Sequence, residues 1–258
     1  MLRSLYTAWT GMFNEQQRLD VISNNMANSA TVGFKKEGAS SQSFDKVLTI
    51  KIRDKSEDWQ KRAIGEMRLG VKIGETYTDY SQGSLRETGN TYDLALEGEG
   101  FFVVNYTRQS SGEQFQVVTR TGTFHKMPDG YIVDADGNHL QGENGDVQVS
   151  VDTHEVVIDT DGTIYEDGVA TDKILMKDYE DYDYLKKFGD TYYLPIEGAT
   201  EKEAESWIRQ GYTEQSNVQV VSEMVNLINI TRAFEAGQKV IRSVDSTMEL
   251  AVSSLGKV

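Results

Sequence analysis

From Val220 to Leu255 an apolar residue stands at every seventh position: Val220, Leu227, Phe234, Ile241, Met248 and Leu255. The alternate seam of this heptad pattern reads Met224, Thr231, Gln238, Asp245 and Val252, and no proline interrupts it. Such a run specifies one long helix that needs a partner along its length. From Asn217 to Ser254 it would extend about 57 Å at the helical rise, whereas globular helices average roughly 10–14 residues. Ser216 or Asn217 is placed to cap its start, and Glu223 falls in an early turn where the helix dipole favours an anion.

The N-terminus carries the same period. Leu2, Leu5, Trp9, Met12, Gln16, Leu19, Ser23 and Met26 alternate at three and four positions, and Tyr6, Phe13 and Ile22 widen the stripe. This predicts an amphipathic helix of about 25 residues, with Gly11 a mild weak point. What separates the two helices reads as β-structure, so the ends are expected to pair with each other. The chain leaves by one helix and returns by the other, which makes the pair antiparallel. In the register that fits the seams, Leu2 faces Leu255, Leu5 faces Val252, Trp9 faces Met248 and Leu19 faces Gln238.

Between the helices the period becomes two. "TYDLALEGEGFFVVNY" reads as strand, turn and strand, with Phe101 to Val104 a buried run. Pro128-Asp129-Gly130 and the Asp-Gly pairs at 161–162 and 167–168 punctuate further strands. The expected fold class is α+β: a stalk of two terminal helices paired as an antiparallel coiled coil, and a central antiparallel β-domain. The expected segments are a helix at 1–30, a partly extended connector at 31–84, the β-domain at 85–200, a short helix or loop at 201–216 and the second helix at 217–258.

Several classes of function find little support. Net charge is −15 with 41 acidic residues, which argues against nucleic acid. No apolar run reaches the roughly 18–20 residues of a membrane-spanning helix, and the start of the chain lacks the apolar stretch of a signal peptide. There is no cysteine, so disulfides, zinc-thiolate sites and cysteine nucleophiles are excluded. "DADGN" at 134–138 and "DTDGT" at 159–163 resemble pieces of a calcium loop, but glycine comes fourth rather than sixth and type I′ turns explain both better. His125, His139 and His154 are widely separated, and no cofactor or metal is expected. Acid pairs such as Glu97 and Glu99 could in principle serve a glycosidase, yet they arise freely in so acidic a chain. The charge is also unevenly placed: residues 1–36 carry net +2 and 217–258 net zero, leaving −17 for the middle. The middle is expected to be solvated, and the ends free to crowd against copies of themselves.

Four blocks in order carry a resemblance. "SNNMANSATVGFKK" is similar to the N-terminal signature of the flagellar axial proteins, the rod and hook subunits, through Asn24, Asn25, Ala27, Asn28, Thr31, Gly33, Phe34 and Lys35. "SQGSLRETGNTYDLALEGEGFFVV" and "TRTGTFHKMPDGYIVDADGNHLQG" resemble their central part. "QGYTEQSNVQVVSEMVNLINITRAFEAGQKVIRSVDSTME" resembles their C-terminal signature, with Ser216, Asn217, Val218, Glu223, Arg232 and Glu235 matching; Thr213 replaces a usual apolar residue. Size and the single modest β-domain resemble the distal or the related proximal rod subunits more than a full hook protein. The resemblance implies a non-enzymatic structural subunit of the basal-body rod that assembles with copies of itself and with neighbouring rod and hook proteins. It implies export, uncleaved, by the flagellar type III apparatus. It also makes 27–36 a joint, in which Gly33 permits the turn, Phe34 anchors it, and Lys35 and Lys36 meet acidic surfaces of neighbours. The runner-up readings are an envelope glycan hydrolase and a monomeric binding module or chaperone.

Overall fold

The C-terminal heptads form one α-helix, α2, from Val220 to Leu255, in a computed structural model that describes residues 2–50, 63–107, 113–153 and 155–255. The N-terminal stripe forms α1, Leu2–Ala27. The chain divides into two units. Unit 1 holds residues 1–27, 37–78 and 219–258; unit 2 holds 28–36 and 79–218.

In unit 1, α1 packs against α2. Both heptad series turn inward: Leu5, Met12, Leu19 and Met26 on α1, and Val220, Leu227, Phe234, Ile241 and Met248 on α2, are half-buried. The alternate seams differ from expectation. Thr231 and Gln238 are half-buried as expected, but Trp9, Met224 and Val252 are exposed, and beside them the inward positions lie one residue earlier, at Ala8, Glu223 and Ala251. The register differs too. A Cβ on Gly237 would stand 2.6 Å from Met12 Cγ and 3.8 Å from the Ala8 carbonyl oxygen, which shifts the expected alignment by roughly two turns. Close helix packing is set by the size of the side chains at the contact. Ala8 and Gly237 permit an approach that Trp9 would block. The side chains of the expected Leu2–Leu255 pair lie outside the described residues. Gly237→Val is therefore expected to spread the helices. Amide protection in α1 should fall while that of the β-unit holds, and equal protection in both proteins would show that the helices meet elsewhere.

A β-ribbon lies against α1. Glu37–Ser43 pairs antiparallel with Val71–Thr78, and Val47–Ile50 pairs with Ala63–Met67. The connector expected to be partly extended thus forms paired strands; the charged stretch at 51–62 lies outside the described residues. Polar side chains of α1 fasten the ribbon. Asn14, buried in the middle of the helix, donates from Nδ2 to Ser41 Oγ at 3.1 Å, and Thr7 Oγ1 donates to the Leu69 carbonyl at 3.2 Å. Nothing in the heptad pattern marks Asn14 for this task.

Unit 2 is built of antiparallel β-strands, with one 3-10 turn at Tyr182–Tyr184. Its largest sheet runs in the order 185–188, 192–195, 114–119, 101–107, 139–142, 132–133, 125–126. The strand Phe101–Thr107 is buried on both faces: Phe102 joins Leu94, Phe124 and Ile208 in one core, while Phe101 and Val103 join Val118 and Tyr193 in another. Each large apolar side chain buried in this way contributes about 1.5–3 kcal/mol. A smaller sheet pairs Val156–Ile158, Thr163–Glu166 and Val169–Lys173.

Two local expectations fail here. Residues 201–210 are not a short helix: Glu201–Glu203 and Trp207–Gln210 are strands, the second paired with Leu94–Glu97. The helix-favouring glutamates, lysine and alanine of that stretch are overridden by two strand edges: 201–203 pairs with Met176–Tyr179, and 207–210 pairs with 94–97, to which Ile208 brings a buried side chain. The turns at 134–138 and 159–163 are type I followed by a left-handed glycine, because only Gly137 and Gly162 have positive φ there. The type I′ pair is Asp167-Gly168, with φ of 47° and 85°.

The first of these turns is tied down by a buried phenol. Tyr192 Oη donates toward Asp134 Oδ2 and Asp136 Oδ2, both at 2.7 Å. Burial, then those two carboxylates, pushes the Tyr192 phenol well above its ordinary value. Burial, then Glu201, pushes Tyr179 up to about 12. An unfolded chain releases these protons near pH 10, before the folded chain does. Their stabilisation is therefore complete below pH 10 and is lost as pH rises, by about 1.4 kcal/mol per pH unit for each phenol. The urea midpoint is expected to fall between pH 10 and 12, and to fall less in Tyr192→Phe. Equal slopes in the two proteins would contradict the assignment.

Candidate functional site: a buried charge hub where the chain changes unit

The chain passes between the units at 27/28, 36/37, 78/79 and 218/219. On the unit 2 side, the segments nearest these crossings converge on Glu214. Glu214 ends the strand Tyr212–Glu214, which pairs with Leu85–Glu87 and so lies beside the incoming chain. The residue is 0% exposed. Its Oε1 accepts from Lys35 Nζ at 2.6 Å and from the Gly83 amide at 2.8 Å; Oε2 accepts from Arg120 Nη1 at 3.3 Å; its backbone carbonyl accepts from the Gly33 amide at 2.8 Å. Lys35 is 1% exposed and Arg120 4%. Lys35 also donates to the Ser81 carbonyl at 2.9 Å, and Arg120 Nη2 to the Gly98 carbonyl at 2.8 Å.

Two buried cations share one buried carboxylate. Burial lowers the Lys35 amine below its ordinary value, Glu214 pulls it back up, and Arg120 lowers it again. A charge in such a place persists only when it is paired and hydrogen-bonded, and removing one partner typically costs about 3–5 kcal/mol. The expectation that Lys35 meets acidic surfaces of neighbours is thus corrected: its partner is internal.

The turn before Lys35 is fixed by packing. Gly33 has φ of +70°, and a Cβ on it would lie 2.5 Å from the Arg120 carbonyl carbon and the Thr121 amide nitrogen. Phe34 is fully buried, with Lys187 Nζ 4.6 Å from the centre of its ring. Thr31 donates from its amide to the Asn28 carbonyl and from Oγ1 to Asn28 Oδ1. Asn217 closes the other side. Its Oδ1 accepts from the Lys36 amide at 2.7 Å, and its Nδ2 donates to the Asp79 carbonyl at 2.8 Å and to Ser81. Tyr80, the next residue in, sits among the rings of Phe101, Tyr182 and Tyr193.

The residues singled out from sequence separate into groups. Gly33, Phe34, Lys35 and Asn217 meet at the hub, with Asn28, Thr31 and Ser216 in its turns. Neither Ser216 nor Asn217 caps α2: Ser216 Oγ accepts from the Val218 amide, and the first helical acceptor is the Gln219 carbonyl, bonded by the Glu223 amide. In unit 1, Asn25 is fully buried and bridges Glu37 in both directions, donating to its carbonyl at 2.7 Å and accepting from its amide at 2.9 Å. Val218 and Glu223 are buried, while Asn24, Ala27, Arg232 and Glu235 are exposed. Thr213, where an apolar residue was expected, is itself buried. The sequence reading missed Glu214, Arg120 and Ser81, since a partner 179 positions away leaves no local signal.

The places considered for chemistry are otherwise occupied. Glu97 pairs with Arg209 on a neighbouring strand. His125 and His139 lie on the two strands that flank Val133, and His139 Nδ1 stands 3.0 Å from Asp146 Oδ2; His154 lies outside the described residues. Among the described residues no group of three or more His, Asp or Glu is placed to hold a metal, and no helix is long and apolar enough to cross a membrane.

The two ends of the chain thus make one helical unit and the middle an antiparallel β-unit with the charge hub inside it. Three family models match it: "Flagella basal body rod protein" over 5–35, "Flagellar hook protein FlgE/F/G D1 domain" over 95–166 and "Flagellar basal body rod FlgEFG protein C-terminal" over 209–254. The chain belongs to the flagellar basal-body rod protein family. It is 30% identical to the flagellar hook-basal body complex protein FlhO of Bacillus subtilis and 31% identical to the rod protein FlgF of Caulobacter vibrioides, with the whole of each chain covered in both cases. It is 28% identical to the rod protein FlgG of Agrobacterium fabrum, over 98% of this chain and 100% of that one.

Proposed function

We propose that the protein is a self-assembling subunit of the basal-body rod, distal or proximal, whose terminal helices form an antiparallel stalk that stacks on the stalks of other copies into a torque-bearing tube. The observation that carries this reading is a second apolar stripe left uncovered on both helices. Tyr6, Trp9 and Phe13 are 62%, 55% and 50% exposed, and Val221, Met224, Val225 and Ile228 are between 48% and 77%. Trp9 and Phe13 stack on each other at 5.9 Å. Unit 1 carries an apolar cleft of about 620 Å³ lined by small residues, among them Ala8, Gly11, Ala233 and Ala236, together with Met12 and Leu69. At 100° per residue, Trp9 and Phe13 project from the side of α1 opposite Gly11 and Glu15 in that cleft. A knob and a groove on opposite faces of one helix give a head-to-tail contact, the kind that builds a helical filament when its rotation does not close into a ring.

Charge supports the same arrangement. Unit 1 carries net +1 and unit 2 net −16, so copies meet with least repulsion through their helices. Screening, over about 8 Å at physiological ionic strength, is expected to raise self-association of the full-length protein as salt is added. Sedimentation that is independent of salt would count against this. Partners are further copies and the neighbouring rod and hook proteins; export through the flagellar type III apparatus without a cleaved signal peptide follows from the family resemblance. Labelling of isolated basal bodies with an antibody to the protein tests the reading and tells distal from proximal position. Absence of label from the rod, together with release of sugar fragments from purified peptidoglycan, would favour a glycan hydrolase instead.

A further inference from the structure

Every contact that completes the hub is long-range. Lys35 and Glu214 are 179 positions apart, Gly83 and Glu214 131, Arg120 and Glu214 94, and Lys36 and Asn217 181. The bonds made within the turn itself, Thr31 to Asn28 and Phe34 to Thr31, are local and hold no charge. Contacts of long sequence separation bear the largest loop-closure entropy and form late. Before strand 212–214 arrives, Lys35 has, among the described residues, the Ser81 carbonyl and the exposed Asp79 near it, and Arg120 has the Gly98 carbonyl and the face of Phe101. Closing the turn at that stage would bury two cations with no carboxylate between them, which is strongly unfavourable.

We infer that the hub is a folding latch: the turn at 28–36 closes only when the segment 212–217 docks, so the N-terminal joint is finished only in a chain folded as far as the segment that precedes α2. Two features make Glu214 the key. It satisfies both cations at once, and its backbone carbonyl and carboxylate together hold the amides of Gly33 and Gly83, one from each incoming segment. If the stalk assembles as proposed above, the latch keeps an unfinished chain from presenting a finished joint to its neighbours. The latch itself rests on the hub geometry and is tested on dilute monomer, where assembly plays no part.

The test is pulsed hydrogen exchange during refolding of the full-length chain, read by mass spectrometry on peptides covering 28–36, 94–104 and 212–217. The core peptide 94–104 is expected to gain protection first, and 28–36 and 212–217 later and together. In native Glu214→Gln, exchange at 28–36 is expected to rise on the order of a hundredfold or more with 94–104 unchanged. Lys35→Met removes one buried cation, and its turn is expected to gain protection ahead of 212–217. Protection of 28–36 before 212–217 in the unaltered chain would overturn the latch. So would Lys35→Met refolding in the same order as the unaltered chain, a readout that stands even if Glu214→Gln does not fold.

Discussion

Gly33→Val is expected to lower the urea midpoint of the full-length protein by about 1 M or more. The reason is that two penalties fall on one residue. A β-branched side chain at φ of +70° sits in a backbone region that costs about 1–3 kcal/mol. Its Cβ also meets the Arg120 carbonyl carbon and the Thr121 nitrogen at 2.5 Å. These are backbone atoms of a buried strand end, unable to swing aside as a flexible side chain would, and overpacking of this kind adds about 1–3 kcal/mol. With a denaturant slope of about 3 kcal/mol per molar, the sum gives the midpoint shift. Gly11→Ala is the matched control. A Cβ on Gly11 meets nothing within 4 Å, and alanine in a helix interior is favoured by about 1 kcal/mol, so that variant is expected to hold or gain stability. Loss of stability in both, or in neither, would mean that the turn is not the constrained element described here.

The second large effect is on assembly and not on folding. Trp9→Asp combined with Phe13→Asp is expected to abolish incorporation into the rod and leave cells non-motile, while the monomer keeps its exchange pattern. Both side chains are about half exposed and touch each other, so the single chain loses little. Aromatic anchors in the centre of an interface are worth about 2–4 kcal/mol each. Losing two of them, and burying two carboxylates in their place, weakens a repeating contact by a factor on the order of 10³ or more. Phe234→Ala offers the contrast. That side chain is half-buried inside unit 1, so its loss should reduce protection in the helices of the monomer as well. Motile cells carrying the double aspartate variant would refute the proposal that this stripe is the contact between copies.

The helical periods were legible because they are a property of the chain alone. Leu5, Met12, Leu19 and Met26, and Val220 through Met248, repeat every seven residues whatever lies beside them, and each series turns inward in the structure. The buried run Phe101–Val104 was legible for the same reason, as was the need for glycine at position 33. Local pattern also placed Asn217 and Lys35 among the residues that matter, through the family blocks.

Which flank completes each seam was not legible. On α1 the choice lay between Ala8 and Trp9, and on α2 between Glu223 and Met224; by sequence alone the larger apolar residue is the better seam. The structure takes the smaller or polar one, because Gly237 brings α2 close enough to touch Met12 and the backbone at Ala8, and that approach leaves no room for a tryptophan. The strand at 207–210 and the hub at Glu214 were likewise decided elsewhere, one by the vacant edge of 94–97 and the other by cations at 35 and 120. Periodicity is written in neighbours along the chain. Register, edge pairing and buried charge depend on neighbours in space, and for these residues the neighbours lie about a hundred positions or more away along the chain.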